Sequence, residues 1–153
     1  MNSFARLLAC APLWSSLAAW FVCQFCKGII TGIRTRKWDL RNFLSSGGMP
    51  SSHTGAVVGL SYMVAVKEGL DSSVFAVCVV FSLIVMYDAV GVRRETGKQS
   101  RIINLITNMI TGQNEETDSE KLNEIVGHSP SEVFAGLGVG ILVGFLSSLV
   151  LMP

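Results

Sequence analysis

The chain has 153 residues, 50% of them hydrophobic and only 15% charged, with a formal net charge of +1. So balanced a chain offers no global field for a polyanion, and no nucleic-acid partner is expected. Its apolar residues are collected into long uncharged runs, which argues against an ordinary soluble domain and for a bilayer as solvent.

The first run, Leu7 to Cys26, has no charge over twenty positions. It predicts a first transmembrane helix from about Leu7 to Ile30, retained because no A-x-A cleavage site follows it. Loop one, residues 31–49, carries Arg34, Arg36, Lys37 and Arg41 against Asp39 alone. A second helix is expected from Pro50 to about Leu70. A short turn, KEGLD, leads to a third helix over the uncharged run Ser72 to Tyr87, ending near Asp88 to Gly91. Loop three, residues 92–129, opens with the basic stretch RRETGKQSR. Within it Ile102, Leu105, Ile106, Met109 and Ile110 recur at helical spacing. That spacing predicts an amphipathic helix, either at the membrane interface or packed on the bundle. Residues 113–124 are acidic and read as a solvated stretch. The fourth helix begins near Pro130 and holds the uncharged run Val133 to Met152. The expected fold is thus all-α: one membrane-embedded domain over residues 1–153, an integral helical bundle of about four spans plus the amphipathic helix. Gly136, Gly140 and Gly144 form two overlapping G-x-x-x-G patterns, suited to close packing within the chain or to a homodimer.

With four spans, loops one and three share a side. Together they hold nine of the Lys and Arg residues, so the positive-inside rule places them in the cytoplasm. The four Cys (10, 23, 26 and 78) all lie in apolar runs, where a thiol acts as a small hydrophobe. Packing is favoured over redox chemistry for Cys23-x-x-Cys26.

The only two His, His53 and His128, fall near predicted helix starts on that charged side. In GGMPSSH, Pro50 suits a first helical position and Ser51 or Ser52 an N-cap. A helix N-terminus favours a bound anion, and Gly47 and Gly48 let backbone approach it. An ordinary capped helix with a surface His reads equally well. In GHSPSEV, His128 and Glu132 stand four apart, so the carboxylate can orient the ring; a capping Ser129 with a first-turn Glu is the plainer alternative. Arg34, Arg36, Lys37, Arg41, Arg93 and Arg94 are candidate phosphate ligands. Lys27 and Asp88 lie near the ends of apolar runs, where ionisable groups are functional candidates or pair with each other. No acid cluster for magnesium, D-x-D-x-T pattern, P-loop or Cys-x5-Arg loop is present, so neither metal nor cofactor is expected.

Pro50-Ser51-Ser52-His53 resembles the P-S-x-H motif of the type 2 phosphatidic acid phosphatases, which are related to vanadium-dependent haloperoxidases. His128-Ser-Pro-Ser-Glu132 is similar to that family's H-x3-D element, with Glu for Asp, and Arg93 or Arg94 to the Arg preceding that His. GGMPSSH, YDAVGVRRETGKQ and GHSPSEV together resemble the family's divergent, small bacterial branch over nearly the whole chain. The chain departs from the main family in showing four spans rather than six. Some thirty-four residues separate Arg94 from His128. No Pro follows Lys27-x6-Arg34 or Arg34-x6-Arg41, so the loop-one ligand stays unassigned. The resemblance implies a phospho-histidine mechanism. His128 attacks phosphorus, Glu132 orients it and His53 protonates the leaving oxygen. Ser51, Ser52, Lys27 and the basic residues hold the phosphate. The expected protein is a lipid-phosphate phosphatase of the bacterial plasma membrane, its site facing the cytoplasm and its partners lipid phosphates and membrane lipids. The rivals are a headgroup binder without turnover and a small transporter subunit using Lys27 and Asp88.

Overall fold

The computed structural model describes residues 2–36, 47–111, 122 and 127–151. Every regular element among them is helical: α1 (Ser3–Leu8), α2 (Ala11–Thr35), α3 (Ser52–Glu68), α4 (Ser73–Val90), α5 (Val92–Thr111) and α6 (Pro130–Leu151). The solvated acidic stretch expected over residues 113–124 falls almost wholly outside the described residues.

Among the described residues, three helical stretches are long and apolar enough to cross a membrane: α2, Ser73–Ile110, whose uncharged part lies in α4, and α6. The expected second span, α3, is shorter at 17 residues, about 26 Å of helix against a hydrocarbon core of about 30 Å. What α3 lacks in length it has in position, because it packs against α2, α4 and α6 at once. The all-helical membrane bundle is therefore as expected, with three helices of spanning length set around a shorter central one.

Several boundaries differ from expectation. The first apolar run is not one helix. It breaks at Ala9 and Cys10, and Pro12 near the new start forces α2 to begin at Ala11. At its other end α2 runs on to Thr35, so Arg34 belongs to its last turn rather than to loop one, and Arg36 closes it in the left-handed region at φ 54°. A cation there suits the negative end of the helix dipole. Pro50 is not a first helical residue. Ser51 is the N-cap, accepting from the Thr54 N–H through its hydroxyl, and Pro50 precedes it after a cis peptide bond. Half of loop three is helix, since α5 follows α4 after only Gly91.

Small residues set the helix spacing. Gly55 and Gly59 of α3 face Cys23 and Ala19 of α2, while Gly136, Gly140 and Gly144 of α6 lie against Ser51, Val58 and Tyr62 of α3. The G-x-x-x-G stripe is thus spent inside one chain, the first of the two uses its spacing allows. Ser15 donates to the Gly59 carbonyl, and Ser61 and Ser82 meet at 3.0 Å, tying α3 to α2 and to α4. An apolar groove of about 510 Å³ between α3 and α4, lined by Val58, Phe75, Leu83 and neighbours, holds no His, acid or base. The candidate chemistry lies elsewhere.

Candidate active site

Four helix ends gather on one side of the bundle: the C-terminal ends of α2 and α4 and the N-terminal ends of α3 and α6. Two backbone hydrogen bonds fasten them. The Ser51 N–H donates to the Glu132 carbonyl at 2.9 Å, joining the α3 cap to the first turn of α6. The His128 N–H donates to the Ala89 carbonyl at 3.0 Å, joining the approach to α6 to the end of α4. Gly127 then rests directly on the backbone of Arg93 and Arg94, where a Cβ would overlap Arg94. Only Gly can make that approach. The residues between Arg94 and His128 are thus a long excursion, and its two ends meet.

This brings the two His together. Their rings lie edge to face, at 84°, with centroids 6.0 Å apart. His128 is 1% exposed, and neither ring nitrogen has a hydrogen-bond partner among the described residues. Burial, then the charges of Lys27, His53 and Arg93, push its pKa down from 6.5 to about 4. The imidazole is therefore neutral at neutral pH, and its lone pair is available. Buried polar atoms are normally paired, so two orphaned nitrogens in one ring mark His128 as a group held for something other than stability.

Lys27 is fully buried, and its aliphatic stem runs 3.4 Å from where a Cβ would stand on Gly48. Gly48 has φ +96°, a conformation other residues avoid, and it brings its backbone against the Lys27 stem. The Glu132 carboxylate acts electrostatically on Lys27. Ser51 and Ser52 are buried at the α3 start. Ser51 is spent on the cap and on the Thr54 hydroxyl at 3.1 Å.

Three expectations are corrected here. Glu132 does not touch the His128 ring. Its Oε2 accepts from the Ser129 N–H at 3.2 Å, half of a capping box at the start of α6. The plainer reading of S-P-S-E therefore holds, because a first-turn carboxylate reaches an unpaired N–H more readily than a ring on the preceding loop. Asp88 does not pair with Lys27. It accepts from Arg93 Nε at 2.7 Å, five residues on, across the Gly91 turn. That ion pair is half exposed, so its worth lies in aiming Arg93 rather than in stability. Arg34, Arg36 and Arg94 are exposed, and of these only Arg94 is placed beside the His128 segment, through its backbone. Lys37 and Arg41 lie outside the described residues.

Sequence reasoning missed the Ala89 carbonyl as the anchor of His128 and Gly127 as the contact with Arg94. The Gly-His pair was a usable signal, since Gly ahead of a candidate site residue marks close backbone approach.

The chain is similar to known sequences over most of its length. The model of the Divergent PAP2 family matches residues 8–143, a stretch that includes every element from α2 to the middle of α6. The uncharacterized membrane protein YuiD of Bacillus subtilis (strain 168) is 46% identical over 148 residues, covering 90% of this chain and 94% of its own. No solved structure matches the chain. With both histidine motifs inside the matched stretch, the chain belongs to the Divergent PAP2 family.

Proposed function

We propose that the protein is a membrane lipid-phosphate phosphatase working through a phospho-histidine. The observation that carries this reading is the His53–His128 pair at 6.0 Å, with Lys27 and Arg93 close enough to shift His128. A neutral imidazole, a second imidazole across from it and two nearby cations are the parts that phosphoryl transfer needs. The neutral nitrogen of His128 attacks phosphorus, and the bond to the lipid oxygen breaks. When His53 carries a proton, it gives that proton to the leaving oxygen. Water then attacks the phospho-histidine, His53 takes the water's proton, and phosphate leaves with His128 restored. Arg93, held by Asp88, and Lys27 bind the oxygens that gain charge. Glu132 acts on His128 through the α6 cap rather than through the ring. Because His128 is closed off from solvent, the phosphate enters past the half-buried His53.

Substrates of the right build are phosphatidylglycerophosphate, phosphatidic acid and isoprenoid mono- or diphosphates, whose tails stay in the bilayer while the phosphate sits at headgroup height. The basic residues at the same end support a site that faces the cytoplasm, here taken as that of a plasma-membrane protein. The test is phosphate release from these lipids in detergent. Loss of release in both His53→Ala and His128→Ala supports the reading, and full activity in both variants rejects it.

A second reading, headgroup binding without turnover, draws support from one observation: among the described residues, no carboxylate orients the His128 ring. Tight binding of a lipid phosphate with no phosphate release favours it. The transporter alternative loses its motive, since Asp88 is engaged with Arg93 rather than Lys27.

A further inference from the structure

Helix α5 is amphipathic the wrong way round for water. At 100° per residue, Ile102, Ile103, Leu105, Ile106, Met109 and Ile110 fall within roughly 160° of arc. All six are exposed, Met109 at 79% and Ile110 at 80%. On the opposite side of the helix Gly97 and Ser100 are buried. Asn104, on that same side, donates to the Leu122 carbonyl at 2.9 Å and accepts from the Leu122 N–H at 3.1 Å. What protein contact the helix makes is thus on its polar side, where Asn108 stays exposed, and the apolar side is left open. A helix bathed in water buries the other face.

Two further observations name what covers it. Helix α5 starts after Gly91, one residue past a spanning helix, and among the described helices it packs chiefly on α4. It therefore begins at headgroup height. It also carries four cations, Arg93, Arg94, Lys98 and Arg101, against one acid, Glu95, a net +3. By the same 100° step Arg94 and Arg101 fall just outside one edge of the apolar arc and Lys98 just inside it, and all three are exposed. An open apolar face bordered by cations is the pattern of a helix lying in an anionic bilayer surface.

We propose that α5 docks on an anionic lipid leaflet, with Ile102, Leu105, Ile106, Met109 and Ile110 sunk at the headgroup–acyl boundary. Docking there fixes the height of Arg93 and Arg94, and through Gly127 that of His128, relative to the lipid phosphates. The inference does not depend on turnover, so it stands or falls apart from the phosphatase reading.

The test uses the full chain with Cys10, Cys23, Cys26 and Cys78 replaced by Ala. Nitroxides are placed singly through Ile106→Cys, Met109→Cys and Asn108→Cys, in nanodiscs of phosphatidylcholine with or without phosphatidylglycerol. Labels at 106 and 109 should collide with oxygen more than with a water-soluble nickel chelate, and the label at 108 the reverse. The contrast should grow several-fold with phosphatidylglycerol. Equal nickel access at all three positions overturns the proposal. So does exclusion of both reagents at 106 and 109 with spin–spin broadening, which would put a second copy on the face. Hydrogen exchange on the unaltered chain tests the same docking without substitutions. Amides of residues 99–110 should be better protected in the anionic nanodiscs than in the neutral ones, and equal protection overturns the proposal.

Discussion

Gly140→Ala tests whether α6 is held on α3 by close backbone approach. A Cβ at Gly140 would stand 2.7 Å from Val58 Cβ, 2.8 Å from the Gly55 carbonyl oxygen and 2.9 Å from Val58 Cγ1. The carbonyl belongs to α3's own backbone and cannot turn aside, so the helices must part. Overpacking of this kind costs about 1–3 kcal/mol. Alanine's better helix propensity returns about 1 kcal/mol, leaving a net loss of up to about 2 kcal/mol. Gly138, two residues earlier on the same helix, has nothing within 4 Å of its would-be Cβ. Gly138→Ala should then be neutral or slightly stabilising. Thermal unfolding in detergent reads both. At about 2–4 °C per kcal/mol for a chain this size, Gly140→Ala should lower Tm by up to about 8 °C while Gly138→Ala does not lower it. Equal Tm values for the two variants would refute the packing. A Gly140→Ala effect confined to self-association would move the stripe to a dimer interface.

Burial and nearby cations hold His128 at about pKa 4 against an ordinary 6.5, so the acidic limb of kcat/KM should fall below pH 6 rather than at the usual His value. The same shift carries a stability sign. Between pH 6.5 and about 4 the unfolded chain binds the proton and the folded chain does not, so stability falls as pH falls through that window. The cost approaches roughly 3 kcal/mol, and His128→Asn should flatten that part of a Tm–pH profile. Arg93→Ala should lower kcat about 100-fold, as expected for loss of one donor to developing charge. Asp88→Asn, which only releases Arg93, should cost about ten-fold or less on the same scale. Glu132→Gln should keep most of the activity, because Glu132 accepts from a backbone N–H rather than from the His128 ring. A fall of about 100-fold or more, with a moved pH limb, would restore the ring-orienting role.

The parts of the fold written in local chemistry were readable from the sequence. Uncharged runs marked α2, α4 and α6, and the Ser-rich start of α3 announced its cap. Five apolar residues at helical spacing marked the second half of α5. Its first half, RRETGKQSR, has no apolar period to read, and continuity with α4 decided its conformation. Pro50 precedes the cap rather than following it, and a Pro in either place looks alike in sequence.

At the site, residue types were legible and contacts were not. The two His stand out because there are only two, but their meeting depends on His128 N–H reaching Ala89 and Ser51 N–H reaching Glu132. Main-chain groups carry no side-chain signature, so bonds of this kind leave no trace in a sequence. The separation of Arg94 from His128 looks like a broken motif in one dimension. In space Gly127 closes it. Two ions at helix ends suggest a Lys27–Asp88 pair, and Arg93 takes that place because the Gly91 turn puts it on the same end of α4.

The most direct test of the central claim is capture of the covalent intermediate. Wild-type protein and the His128→Ala and His53→Ala variants would be mixed with a lipid phosphate in detergent, quenched in alkali and mapped by mass spectrometry. A phospho-histidine mechanism predicts an alkali-stable, acid-labile phosphoryl group on His128 in the wild type, none in His128→Ala, and slow formation in His53→Ala. Phosphate release with no phosphoryl group on His128, or release that survives His128→Ala, would contradict it.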